Sequence, residues 1–183
     1  YQYNMLIARL EPENSIEVIL DGMAKSTTDK PFLVIGKHQT KYGNYLKDKY
    51  KSCNKIRFVG GVYDLDTLNN LRYFSNLYFH GHTVGGTNPS LLEAMASSSL
   101  ISANDNDFNR YILGDDALYF TSSDEITEQL NHTDKSSRKY LDLVINNNLK
   151  IKEQFSWKKI IDQYEDHFIA IHTAKEAKLQ LSS

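Results

Sequence analysis

The 183 residues alternate between two hydrophobic periods, and that alternation constrains the fold more than any other feature of the sequence. Short apolar, partly β-branched runs bounded by glycine or polar residues recur at Met5 to Ala8, Phe32 to Ile35, Ile56 to Val59, Leu77 to Phe79, Leu100 to Ala103 and Leu118 to Phe120. Each has the length of a buried strand. Between them the spacing widens to that of helices. Ile16, Ile19, Leu20 and Met23 follow Pro12-Glu13, and Leu65, Leu68, Leu71 and Tyr73-Phe74 follow Asp64, a suitable N-cap. Strand and helix in turn specify a parallel sheet, so the chain reads as an α/β, Rossmann-like fold of about six strands with helices on both faces.

Two longer helices are expected at the end, Asp134 to Gln154 and Trp157 to about Lys178. The second carries Ile160, Ile161, Tyr164, Phe168 and Ile171 on one side, a face suited to crossing onto a neighbouring domain. No repeat, low-complexity tract or Pro/Gly-rich linker interrupts the chain, which therefore reads as one compact unit over 1–183. It opens at Tyr1 and runs straight into the first apolar run, as a piece of a longer protein would.

Composition removes several function classes. Lys+Arg number 21 against Asp+Glu 23, a net charge of −2, which lacks the basic excess of proteins that wrap nucleic acid. The single cysteine, Cys53, allows no internal disulfide or thiolate zinc site and fits a reducing compartment, so a cytoplasmic location is expected. No apolar run approaches the roughly 20 residues of a membrane span.

In open parallel sheets ligands bind beyond the carboxyl ends of the strands, so the loops after the apolar runs carry the functional information. After the fourth run comes His80-Gly81-His82-Thr83-Val84-Gly85-Gly86-Thr87-Asn88-Pro89-Ser90. Gly85-Gly86-Thr87 lets backbone approach a ligand, and Asn88 with Pro89 makes an N-cap and first helical position. Uncommitted N–H groups at that helix start, with the positive end of its dipole, form a seat for a diphosphate; Glu93, three residues beyond Ser90, is placed to accept from sugar hydroxyls. The same glycines would equally serve a tight turn, and Glu93 its own helix. Arg9, at the end of the first strand, is a second phosphate candidate or a partner of Glu11 or Glu13, and Lys37 and Lys41 are further candidates or solvated charges.

Metal and hydrolase chemistry find little support. His80 and His82 lack a third ligand nearby, which leaves hydrogen bonding near a ligand or packing as their roles. No Gly-x-Ser-x-Gly elbow occurs, and Asn104-Asp105-Asn106-Asp107 lacks the closing Glu of a calcium loop and reads as a turn and N-cap.

Read in order, these segments resemble the C-terminal, donor-binding domain of the family 4 retaining glycosyltransferases of GT-B architecture. Ala8-Arg9-Leu10-Glu11-Pro12-Glu13-Asn14 is similar to the family's Gly-Arg-Leu-x-Pro-Glu-Lys, and Ile56-Arg57-Phe58-Val59-Gly60 to its Val-x-Phe-x-Gly strand. Ser90-Leu91-Leu92-Glu93-Ala94-Met95-Ala96 is similar to its Leu-Glu-Ala-Met-Ala helix start, and Phe155-Ser156-Trp157 to the segment before its last helix. The run from His80 to Ala96 looks most like bacterial rhamnosyltransferases of surface polysaccharide synthesis.

The resemblance implies transfer of a sugar, rhamnose in that subgroup, from a nucleoside-diphosphate sugar to a saccharide or lipid-linked acceptor, with neither metal nor cofactor. Arg9 would hold the diphosphate and act in catalysis; Gly86, Thr87, Asn88, Ser90 and Leu91 would face the phosphates; Glu93 would bind the ribose, and Gly61-Val62-Tyr63 would lie against the base. The acceptor would bind through an N-terminal domain that this chain lacks, in an enzyme working in the cytoplasm or at the inner membrane face. Two positions depart from the family. Gly85 stands where the family has a sugar-contacting Glu, and Asn14 where it has a phosphate-binding Lys, a charge that Lys41 or Lys37 would replace. A nucleotide-sugar epimerase of the same architecture, a non-catalytic nucleotide- or sugar-binding module, and a protein-interaction domain remain open at this point.

Overall fold

The computed structural model describes residues 1–180, with side chains through residue 174. Six strands form where the apolar runs lie: β1 (Asn4–Ile7), β2 (Phe32–Ile35), β3 (Ile56–Gly60), β4 (Leu77–His80), β5 (Ile101–Asn104) and β6 (Leu118–Phe120). All pair in parallel, in the order β3-β2-β1-β4-β5-β6. The chain winds outward from β1 to β3, then returns to the centre and winds the other way. That reversal, between β1 and β4, marks the place where such sheets take ligands, beyond the carboxyl ends of the strands. The residues bordering it are Ala8 and Arg9 after β1, and Gly81 and His82 after β4.

The helices are α1 (Ile16–Lys25), α2 (Lys41–Lys49), α3 (Leu65–Phe74), α4 (Pro89–Ala96), α5 (Asp107–Leu113), α6 (Ser123–His132), α7 (Leu141–Gln154) and α8 (Trp157–Gln180). Alternation along β4 shows how they divide between the faces. Leu77 and Phe79 join a buried cluster with Ile16, Ile19 and Met23 of α1, Leu46 of α2 and Ile126 and Leu130 of α6. Each such side chain contributes roughly 1.5–3 kcal/mol by leaving water. Tyr78 points the other way, its hydroxyl 3.0 Å from Ser90 Oγ in α4. His80, two residues further along the strand, shares the face of Tyr78.

The expected caps form. Asp64 accepts from Thr67 N at 2.8 Å and Asn106 from Asn109 N at 3.0 Å, each satisfying a first-turn donor. The expected helix from Asp134 needs correction, because α7 begins only at Leu141, after a 3₁₀ turn over Arg138–Tyr140. Upstream of that turn the donors have other partners: Asp134 Oδ1 accepts from Ser136 N and Oγ, and Lys135 N donates to Asn76 Oδ1. Side chains that bind nearby backbone in this way compete with the helical pattern.

Packing divides the chain into two compact units, residues 1–148 and the residues from 149 on. The second contains the end of α7 and all of α8. Trp157, Ile161, Tyr164, Phe168 and Ile171 of α8 are exposed. Among the described residues no helix is long and apolar enough to cross a membrane.

Candidate functional site

The loop after β1 is shaped by a buried asparagine. Asn14 Nδ2 donates to the Arg9 carbonyl at 2.7 Å, and Glu11 N donates to the same oxygen at 2.9 Å. The Arg9 side chain is exposed and, among the described residues, forms no ion pair with Glu11 or Glu13. It lines a cavity of about 320 Å³ with Lys37, Thr40 and Gly61-Val62-Tyr63. The structure therefore brings Arg9 together with the three residues expected beneath a base. Lys37 stands in that cavity, whereas Lys41 lines a neighbouring one with Tyr42 and Tyr45, the two sharing Glu11 and Thr40.

Across the reversal, the loop from β4 to α4 is open. Gly85 adopts φ +116°, which favours glycine, and a Cβ placed on Gly85 or Gly86 would meet nothing within 4 Å. Asn88 caps α4, accepting from Ser90 N at 2.9 Å, with Pro89 in the first position. The expectation of uncommitted N–H groups in the helix's first turn is corrected here. Ser90 N is held by Asn88 Oδ1, Leu91 N donates to the Asn88 carbonyl at 3.0 Å, and the Leu91 side chain is buried. The unengaged donors lie one step earlier, on Gly85, Gly86, Thr87 and Asn88, where the positive end of the helix dipole still acts.

Glu93 has a partner that the sequence did not announce. Its Oε2 accepts from Arg72 Nη2 at 2.5 Å, and the Arg72 side chain is 1% exposed while that of Glu93 is 43% exposed. Arg72 Nη1 also donates to Asn69 Oδ1 at 3.2 Å. The carboxylate thus neutralises a buried guanidinium, in a groove between α3 and α4 lined by Asn69, Tyr73 and Ser97, and is not among the residues lining the Arg9 cavity. Leu65, seven positions before Arg72, is exposed, so the hydrophobic spacing of α3 gave no signal for the burial of Arg72.

The two histidines stack. The rings of His80 and His82 lie 4.4 Å apart at 14°, and His80 is 1% exposed with both ring nitrogens buried and unbonded. Burial, followed by the proximity of His82, pushes the His80 pKa down to about 3. The His82 pKa is lowered as well, by burial first and then by the positive charge of Arg9. The loop that carries His82 is braced on both sides. Gly81 packs against the Asn14 carbonyl so closely that a Cβ would come within 2.1 Å of it, and Thr83 donates to the Glu13 carbonyl from N at 3.2 Å and from Oγ1 at 2.9 Å. The His82 carbonyl accepts from Asn106 Nδ2 at 3.0 Å and Asn109 Nδ2 at 3.1 Å. Among the described residues no three His, Cys, Asp or Glu side chains gather as metal ligands.

The chain matches no family model and no curated protein. Solved structures do resemble it. HepE of Anabaena, crystallised with UDP and glucose, superposes with a TM-score of 0.80 at 17% identity, over 92% of this chain and 48% of that one. Sucrose-phosphate synthase of Thermosynechococcus elongatus gives 0.76 at 17%, over 94% and 46%. The C-terminal domain of LpcC from Francisella tularensis, a glycosyl transferase group 1 family protein, gives 0.71 at 19%, over 85% and 87%. The fold is thus the parallel α/β, Rossmann-like one of GT-B glycosyltransferase C-terminal domains. The chain spans about half the length of HepE.

Proposed function

We propose that this chain is the donor-binding domain of a retaining glycosyltransferase of GT-B architecture, which transfers a sugar from a nucleoside-diphosphate sugar to a saccharide or lipid-linked acceptor. The observation that carries the reading is that Arg9, whose guanidinium forms no ion pair among the described residues, and four unengaged backbone donors, Gly85 to Asn88, follow β1 and β4, the two strands between which the sheet reverses. HepE was crystallised with UDP and with UDP-glucose, which supports a nucleotide-sugar as the ligand class.

Departure of the sugar leaves it positively charged and places negative charge on the diphosphate. Donors fixed toward the phosphates lower that barrier, because they bind the leaving group more tightly as its charge grows. Arg9 supplies a two-pronged cationic contact, and the Gly85-to-Asn88 backbone supplies neutral ones. Gly61-Val62-Tyr63 lies in the Arg9 cavity and takes the base, and Lys37 adds charge from the same cavity. Glu93 binds the ribose through the oxygen that Arg72 leaves unoccupied. Rhamnose is the sugar we assign, on the likeness of His80 to Ala96 to rhamnosyltransferases of surface polysaccharide synthesis. The acceptor and its recognition belong to an N-terminal domain outside this chain.

Calorimetric titration with UDP, dTDP and GDP tests the reading. Binding of at least one, weakened when Arg9 is removed, supports it; no binding of any would overturn it.

A further inference from the structure

Next to the cavity that holds Arg9 lies a second one, of about 470 Å³, lined by Glu11, Pro12, Thr40, Lys41, Tyr42 and Tyr45. That volume falls in the roughly 300–1,000 Å³ range of small-molecule sites. We propose that this cavity is a further binding site, for a neutral saccharide whose ring stacks on the two tyrosines and whose hydroxyls engage Glu11 and Lys41; it stands whether or not the Arg9 cavity takes a nucleotide.

The aromatic surface is built in advance of any ligand. The rings of Tyr42 and Tyr45 stack on one another at 5.9 Å and 25°, three residues apart on α2. Tyr45 is 47% exposed, yet its hydroxyl donates to Glu17 Oε1 of α1 at 2.5 Å, and Lys49 Nζ donates to the same oxygen at 2.6 Å. Tyr42 packs against the core cluster, and Pro12, whose ring is rigid, opens the 3₁₀ turn over Pro12–Asn14. A tethered ring that still faces solvent has little freedom left to lose when a ligand stacks on it, so the ordering cost of binding is small.

The charges on the rim select the class of ligand. Glu11 and Lys41 both line the cavity, and among the described residues neither forms an ion pair. A phosphate would meet the Glu11 carboxylate, a cation would meet the Lys41 ammonium, and an apolar body would strip water from both and replace it with nothing. A sugar ring avoids all three conflicts. Its hydroxyls donate to a carboxylate and accept from an ammonium, and the C–H groups on its faces lie against aromatic rings as other apolar groups do. Glu11 reaches the cavity from the loop after β1 and Lys41 from the start of α2, which suits a ligand with polar groups around its whole rim. Glu11 and Thr40 also line the Arg9 cavity, so the two sites adjoin.

The test follows ¹H–¹⁵N spectra of the labelled chain during titration with the methyl glycosides of rhamnose, glucose, galactose and mannose, with uridine and with UDP, in the parent, Tyr45→Ala, Tyr45→Phe and Lys41→Met. At least one glycoside should shift the amides of Glu11, Lys41, Tyr42 and Tyr45 in a saturable way. Tyr45→Ala should weaken its binding by about fivefold, Lys41→Met by about threefold, and Tyr45→Phe, which keeps the ring, by no more than about twofold. No saturable response to any glycoside, a loss as large in Tyr45→Phe as in Tyr45→Ala, or tighter binding of uridine at the same amides would overturn the proposal. Failure of UDP to bind would overturn the donor reading and leave this site standing. Should Tyr45→Ala fail to fold, the parent decides: nuclear Overhauser contacts from glycoside C–H protons to the Tyr42 and Tyr45 rings support the site, and their absence contradicts it.

Discussion

Glu93 illustrates how a residue acquires a second duty from what lies under it. Its carboxylate faces a guanidinium that is 1% exposed, and a buried charge that loses its partner is strongly penalised. Glu93→Ala should therefore destabilise the fold by about 3 kcal/mol, since Asn69 retains only one contact to Arg72. Urea unfolding measures this, and an unchanged midpoint would contradict it. His80 gives the opposite kind of residue-scale effect. Its folded-state pKa, about 3, lies below the ordinary 6.5, so the unfolded chain takes a proton that the folded one refuses. The contribution is full well above pH 6.5 and falls as pH drops through 6.5 toward 3, with a loss on the order of 1 kcal/mol between pH 7.5 and 5.5 from this group. His80→Phe should flatten that slope, whereas an unaltered slope would show that other groups set it. The sequence displayed Arg9, Glu93 and both histidines but not their partners: Arg72 lies twenty-one positions from Glu93, and only the packing of α3 on α4 joins them.

The elements were legible to the degree that their signals were local. Six strands lie on six apolar runs, and Asp64, Asn88 and Asn106 cap the helices they precede, because each cap is a bond across two or three residues. The segment after α6 has a helical pattern in the sequence but is not helix before Leu141, because Asn76, which captures Lys135 N, is fifty-nine positions away. At the start of α4 the sequence shows Asn88 and Pro89 as a cap, yet a cap consumes donors, and so the Ser90 and Leu91 N–H groups are already engaged. Asn88→Ala should cost about 1 kcal/mol in thermal or urea unfolding, the ordinary value of a lost N-cap. A change within a few tenths would mean that the cap bond contributes little to α4.

At the scale of the molecule, the strand order does what no single residue could reveal. It brings the ends of β1 and β4 together, although they are more than seventy positions apart, and so joins the loops that carry Arg9 and His82 through the bonds of Thr83 to the Glu13 carbonyl. Alternation of strands and helices announced a parallel sheet, but the position of the reversal followed from which strands pair. The same arrangement occurs in HepE, sucrose-phosphate synthase and LpcC at 17–19% identity, so the backbone path persists where few side chains do. The central claim, that this end of the sheet receives a diphosphate, is tested most directly by titrating UDP and dTDP into the parent chain and into Arg9→Ala. The account predicts measurable binding of at least one by the parent and at least about tenfold weaker binding of it by the variant. Equal affinity in the two would contradict it.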